Sequence, residues 1–123
     1  AHQTKISYLE YIPKTHRVFK PIVCNEIDYS LKYVDRELIN ALFAQKGKAD
    51  EIIIIKEGFV TDCSIGNLAF RKGGQWFTPN TPLLQGTQRT YLLQSGQLQE
   101  IEIRQEQLEQ FDEIRVINAL NGL

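Results

Sequence analysis

Three stretches of this chain carry residue types that could do more than pack. In Tyr29-Ser30-Leu31-Lys32-Tyr33-Val34-Asp35-Arg36, Lys32 stands between aliphatic and aromatic neighbours. A lysine in an apolar pocket loses its charge readily and becomes a nucleophile or Schiff-base former. The plainer alternative is a lysine whose stem covers apolar surface at a strand end. In Val60-Thr61-Asp62-Cys63-Ser64-Ile65-Gly66-Asn67, polar residues gather at the exit of a hydrophobic strand. Such clusters usually only satisfy turn geometry, but a buried Asp62 could hold a protonated ring nitrogen. The third stretch, Thr78 to Arg89, places Gly86 at the start of a helix. Backbone N–H groups are exposed at such a start, and the helix dipole favours an anion there. A plain helix start without a ligand is the alternative.

Composition excludes several other chemistries. The chain has 123 residues, a net charge of −1, 42% hydrophobic and 24% charged residues, which suits one ordinary soluble domain with its own core. Balanced charge, with Lys and Arg scattered rather than striped, gives nucleic acid or an anionic membrane nothing to hold. No apolar run approaches the roughly 20 residues of a membrane span, and no signal-peptide pattern opens the chain. With only His2 and His16, neither HExxH nor CxxC spacing exists, and a hydrolytic triad would have to recruit His16 from the charged segment Lys14 to Arg17. Cys24 and Cys63 read as reduced core residues. GxGxxG and GxxxxGK[ST] are both absent. There is no methionine and the chain opens at Ala1, so it is expected to be processed, trimmed or part of a longer chain.

The elements that must position the three stretches follow from periodicity. Residues 5 to 12 alternate as a strand that Pro13 interrupts, and Val18 to Val23 resume it. Asp35 to Gln45 has apolar residues at helical spacing, with Asp35 as N-cap and Gly47 as stop. Glu51 to Lys56 is a buried strand turned at Glu57-Gly58 into Phe59 to Thr61. Asn67 to Arg71 and Gln75 to Thr78 form a hairpin through Gly73-Gly74. A rigid loop with Pro79 and Pro82 leads to a helix from Gly86 to Leu93. Leu98 to Arg104 is a strand, Glu106 to Gln110 a short polar helix, and Ile114 to Ile117 a last strand. This is a mixed α/β or α+β domain, with a mainly antiparallel sheet or pseudo-barrel and two or three flanking helices.

A lysine after a strand, an acid about thirty positions on, and an anion-binding helix start together make the parts of a pyridoxal 5'-phosphate site. Their order and wording resemble the class IV aminotransferase family, which includes branched-chain and D-amino acid aminotransferases and aminodeoxychorismate lyase. Leu31-Lys32-Tyr33-Val34-Asp35-Arg36 is similar to the family's lysine block, and most like the Lys-x-Leu-Asn-Arg form of the lyase branch. Val60 to Asn67 resembles its acidic block, Thr78-Pro79 its Thr-Pro element, and Gly86-Thr87-Gln88-Arg89 its phosphate turn. Asn118-Ala119-Leu120-Asn121-Gly122 is similar to its last active-site loop.

The resemblance implies that Lys32 forms the Schiff base with the cofactor and shuttles the proton. Asp62 would pair with the pyridine nitrogen, and Asn67 would lie behind the ring. Gly86, Thr87 and Gln88 would hold the phosphate, and Asn118, Ala119 and Leu120 would lie near the substrate carboxylate. Two positions depart from the family. Asp62 replaces the usual Glu, so the strand or ring must shift about an ångström, or a water must bridge. Gln88 replaces a threonine, removing a hydroxyl that Thr87 next door could supply. The resemblance further implies that this chain is the large, cofactor-bearing domain, without the small N-terminal domain that family members carry. It points to a small-molecule amino substrate, a homodimer and a cytoplasmic enzyme. The activity it implies is lyase-like, releasing 4-aminobenzoate and pyruvate. The alternatives are an aminotransferase on branched-chain or other amino acids, or a non-catalytic family domain.

Overall fold

The structure is a computed structural model that describes residues 12–14, 17–27 and 36–123. Four strands form the first sheet: β1 (Ile12–Lys14), β2 (Arg17–Val23), β3 (Glu51–Lys56) and β4 (Phe59–Val60), side by side in that order. The second sheet runs in the order β7-β6-β5-β8, from β5 (Asn67–Lys72), β6 (Gln75–Pro79), β7 (Gln99–Ile101) and β8 (Glu113–Ile117). Helix α1 (Arg36–Phe43) lies in sequence between β2 and β3, and helix α2 (Thr87–Gln94) between β6 and β7. In each case the two strands so joined are parallel, as a crossover through a helix allows. Every other strand pair is antiparallel. The architecture is therefore mixed α+β.

Burial explains the isoleucine run. Successive side chains of a strand point to opposite faces, and β3 is covered on both. Ile53 and Ile55 enter a core with Phe19, Val60, Leu68, Phe70, Ile103, Phe111 and Val116, between the two sheets. Ile52 and Ile54 face the other way, onto Ile39 and Leu42 of α1, with Ile22 and Leu83. The same division separates Leu68 and Phe70 of β5 from Ala69, which packs with Ile117 and with Leu92 of α2. Cys24 and Cys63 are both buried thiols, each in a different one of these clusters.

The expected strand over 98–104 is divided. β7 ends at Ile101, and Arg104 instead bridges Phe59, while the Val60 amide donates to the Ile103 carbonyl at 2.9 Å. These contacts stitch the sheets together along one edge, which is the pseudo-barrel character. Position 13 does not interrupt its strand: it pairs with Val18 inside β1. β1 is an edge strand, where a missing N–H costs nothing. Residues 5–11, and with them most of the first expected strand, lie outside the described residues, as does the expected cap Asp35. No helix among the described residues is long and apolar enough to cross a membrane.

The two-residue loop from β3 to β4 has φ of 53° at Glu57 and 85° at Gly58, the geometry of a hairpin turn with both central residues left-handed. The Asn25 side chain braces it by accepting from the Glu57 amide at 2.7 Å. Asparagine tolerates this backbone region better than glutamate. Glu57→Asn is expected to stabilise the protein by about 0.5 kcal/mol, read as a higher urea midpoint with an unchanged slope.

Candidate active site

Asp62 lies two positions after the end of β4 and is buried. Its carboxylate accepts from Asn67 Nδ2 at 2.9 Å and from the backbone amides of Leu83 and Leu84 at 2.9 and 3.0 Å. Those amides belong to the proline-bounded loop, which is fastened by the Thr81 hydroxyl on the Val60 carbonyl at 3.1 Å. Asn67, first residue of β5, uses both amide hydrogens and its oxygen. Its Nδ2 donates to Asp62 and to the Leu84 carbonyl at 2.7 Å, and its Oδ1 accepts from the Gly86 amide at 3.2 Å. One side chain therefore locks the acid to the start of α2.

Gly86 is the N-cap of α2, and no side chain caps that helix. A Cβ on Gly86 would lie 2.6 Å from Asn67 Oδ1, so the close approach requires glycine here. Thr87 and Gln88, the first helical residues, keep the unpaired amides of a helix start. One turn deeper, Arg89 is buried and donates through Nη2 to the Pro79 carbonyl at 3.1 Å and to the Glu100 carboxylate.

Asn118 closes a tight turn after β8. Its Oδ1 accepts from the amides of Leu120 and Asn121, both at 3.0 Å, and its Nδ2 donates to the Ile65 carbonyl at 3.2 Å. The last loop is thus tied to the acid turn. A cavity of about 270 Å³ opens among these parts, lined by Asp62, Asn67, Gly86, Thr87, Gln88, Asn118 and Ala119. It lies close to the lower end of the roughly 300–1,000 Å³ of ordinary small-molecule pockets. Of the residues expected at the site, these seven share one cavity. Leu120 is 92% exposed and does not line it. Lys32 lies outside the described residues.

Two further contributors were not among the expected site residues: Glu51, and Arg36, which the sequence offers only as part of the lysine block. Glu51 is a buried carboxylate at the start of β3 that accepts from the Ser64 amide at 3.0 Å and from the Ser64 hydroxyl. Arg36 lines the cavity and donates to the Ser64 carbonyl at 3.1 Å. An acid heading a run of isoleucines was the available sign for Glu51.

Burial raises the Asp62 pKa from 3.8 to about 6, against the lowering effect of its hydrogen bonds from Asn67, Leu84 and Leu83 and of the Arg89 charge. The Cys63 thiol is also pushed up, by burial first and by the Glu51 charge second, so it stays protonated and unreactive. For Asp62 the folded state holds its proton more tightly than the unfolded chain does. Its contribution to stability is therefore greatest below about pH 4 and falls as pH rises to about 6. The expected result is a stability curve that declines across that window and levels above it, measured by urea unfolding at fixed pH.

Fold and site together define an α+β domain in which a buried acid and an uncapped helix start share one cavity. Residues 30–123 match the family described as amino-transferase class IV, and the chain belongs to that family. An uncharacterised protein of Haemophilus influenzae is 62% identical over all of this chain, which spans 65% of that relative's length. A crystal structure of a candidate 4-amino-4-deoxychorismate lyase from Haemophilus somnus 129PT shares 57% identity and superposes with a TM-score of 0.83. The match covers 92% of this chain and 58% of that one. A branched-chain amino acid aminotransferase from T.th., solved with pyridoxamine 5'-phosphate, is 16% identical with a TM-score of 0.63. It shares the fold over 81% of this chain and 39% of its own.

Proposed function

We propose that this chain is the cofactor-bearing part of a pyridoxal 5'-phosphate enzyme of the aminodeoxychorismate lyase kind, releasing 4-aminobenzoate and pyruvate. The observation that carries this reading is the single cavity onto which Asp62 and the start of α2 both open, with Asn67 holding them in register. The 57% identity to the Haemophilus somnus protein supports the lyase over an aminotransferase. The residues also fit the group. Three donors occupy the Asp62 carboxylate, which has about four acceptor positions, so one is left for a ring N–H. The uncapped Thr87 and Gln88 amides suit a phosphate.

When bound, the cofactor supplies an electron sink for the carbanion formed beside the substrate nitrogen. Asp62 would hold the proton on the ring nitrogen, and its burial strengthens that charge pair. Lys32 would carry the cofactor covalently and, once displaced by the substrate amine, take up the substrate proton. Asn118 and Ala119 would flank the substrate. The whole protein would add the small N-terminal domain, act as a homodimer and work in the cytoplasm.

The test uses the whole natural protein, incubated with pyridoxal 5'-phosphate, reduced with borohydride and mapped by mass spectrometry. The label is expected on Lys32. A label elsewhere, or none, overturns the enzyme reading. Release of 4-aminobenzoate and pyruvate from aminodeoxychorismate is expected next, whereas 2-oxo acid formation from amino acids would make the protein an aminotransferase.

A further inference from the structure

Glu51 poses a physical question that the proposed chemistry leaves unanswered. It is only 3% exposed, and among the described residues no cation pairs with it. A buried carboxylate without a counter-charge is costly unless hydrogen bonds hold it. Those it has all come from one residue, Ser64, through the amide and the hydroxyl. Ser64 lies two positions after Asp62, within the turn that carries the acid. The remaining polar group of Ser64, its carbonyl, accepts from Arg36 Nη1 at 3.1 Å. Arg36 is the first residue of α1 and stands four positions after Lys32 in sequence. Ser64 is thus gripped from two sides: by a charge on the central strand, and by a charge on the segment that leads out of the lysine block. A polar clamp of this kind specifies one arrangement of packed elements where apolar contacts would allow sliding.

We propose that Arg36, Ser64 and Glu51 form a positioning unit that fixes the Asp62 turn, and with it the acid, against the starts of α1 and β3. This rests on the cofactor reading above. Among the described residues, the hydrogen bonds of Arg36 and Glu51 to the acid turn all run through Ser64, to its carbonyl and from its amide and hydroxyl, so both act through Ser64. The consequence is specific: loss of either grip loosens the place of Asp62 in the cavity without removing the carboxylate or its own hydrogen bonds.

The experiment uses the whole natural protein and its Arg36→Ala, Arg36→Lys, Glu51→Gln and double Arg36→Ala/Glu51→Gln variants. Pyridoxal 5'-phosphate affinity is read by fluorescence, and the pH titration of the lysine-bound cofactor by visible absorbance. Thermal melts of the free proteins are recorded alongside. Arg36→Ala is expected to weaken binding about tenfold, the worth of one hydrogen bond from a charged donor, and to move the absorbance titration while the melt barely changes. Arg36→Lys should recover part of both, and Glu51→Gln should act in the same sense. Because both side chains work through Ser64, the double variant should lose less than the two single losses combined. Wild-type affinity and titration in Arg36→Ala, or fully additive losses in the double variant, would overturn the unit. If Glu51→Gln fails to fold, the Arg36 variants still decide. Failure of the wild-type protein to bind the cofactor would instead remove the functional reading itself.

Discussion

Asp62→Asn is expected to lower turnover of the whole protein by roughly a thousandfold while leaving Lys32 open to borohydride labelling. The argument starts from donors and acceptors. Asp62 accepts from Asn67 Nδ2 and from the amides of Leu83 and Leu84. Asparagine offers one accepting oxygen and one donating amino group. If the oxygen keeps Leu83 and Leu84, the amino group meets the amino group of Asn67. Turning Asn67 over only moves the conflict, since its Nδ2 would then face the Gly86 amide. The mismatch is buried and costs about 1–3 kcal/mol. The variant also removes a titrating group, so the decline in stability between about pH 4 and 6 should vanish with it. A neutral amide cannot balance a protonated ring nitrogen, which separates lost chemistry from retained attachment. Wild-type turnover in Asp62→Asn would show that the carboxylate has no such role.

The contrast between Asp62 and Glu51 explains how far the sequence could be read. Asp62, Asn67, Gly86 and Asn118 are side-chain types with local geometric jobs, at strand exits, helix starts and tight turns, and each job leaves a pattern within a few positions. Glu51 has its partner at Ser64, on the far side of a hairpin, and nothing in either neighbourhood announces the pairing. Leu83 and Leu84 contribute only backbone amides, which any residue could supply, so their type carries no information. The strands themselves were legible because β3 is buried on both faces and reads as a continuous apolar run. Which strands pair was not. The parallel β2–β3 and β6–β7 pairs depend on α1 and α2 folding back across their sheets, a choice made by long-range packing. Leu120 differs in another way: of the three loop residues expected at the site, Asn118 and Ala119 line the cavity, but Leu120 at the tip points into solvent.

Gly66→Ala carries the second large expectation, and it comes from space rather than charge. A Cβ at Gly66 would lie 2.5 Å from the Ile117 carbonyl oxygen and 3.0 Å from Asn118 Cβ. Neither is the free end of a flexible chain, so the end of β8 and the last loop must move away from the acid turn. Three contacts depend on that closeness. Asn118 Nδ2 donates to the neighbouring Ile65 carbonyl, the Gly66 carbonyl accepts from the Cys63 amide at 3.1 Å, and Ile117 pairs with Asn67 across the β5–β8 ladder. Overpacking of this kind costs about 1–3 kcal/mol, before the Asn118 hydrogen bond is counted. For the whole protein the expected fall in melting temperature is about 5 °C. The functional effect should be selective. Asn118 and Ala119 line the cavity and, on the proposed function, would flank the substrate, whereas Asp62 is anchored independently by Leu83 and Leu84. KM should therefore rise more than kcat falls, and labelling of Lys32 should persist. A variant that melts within about 1 °C of the wild type, with unchanged KM, would mean that the last loop yields freely and does not shape the site.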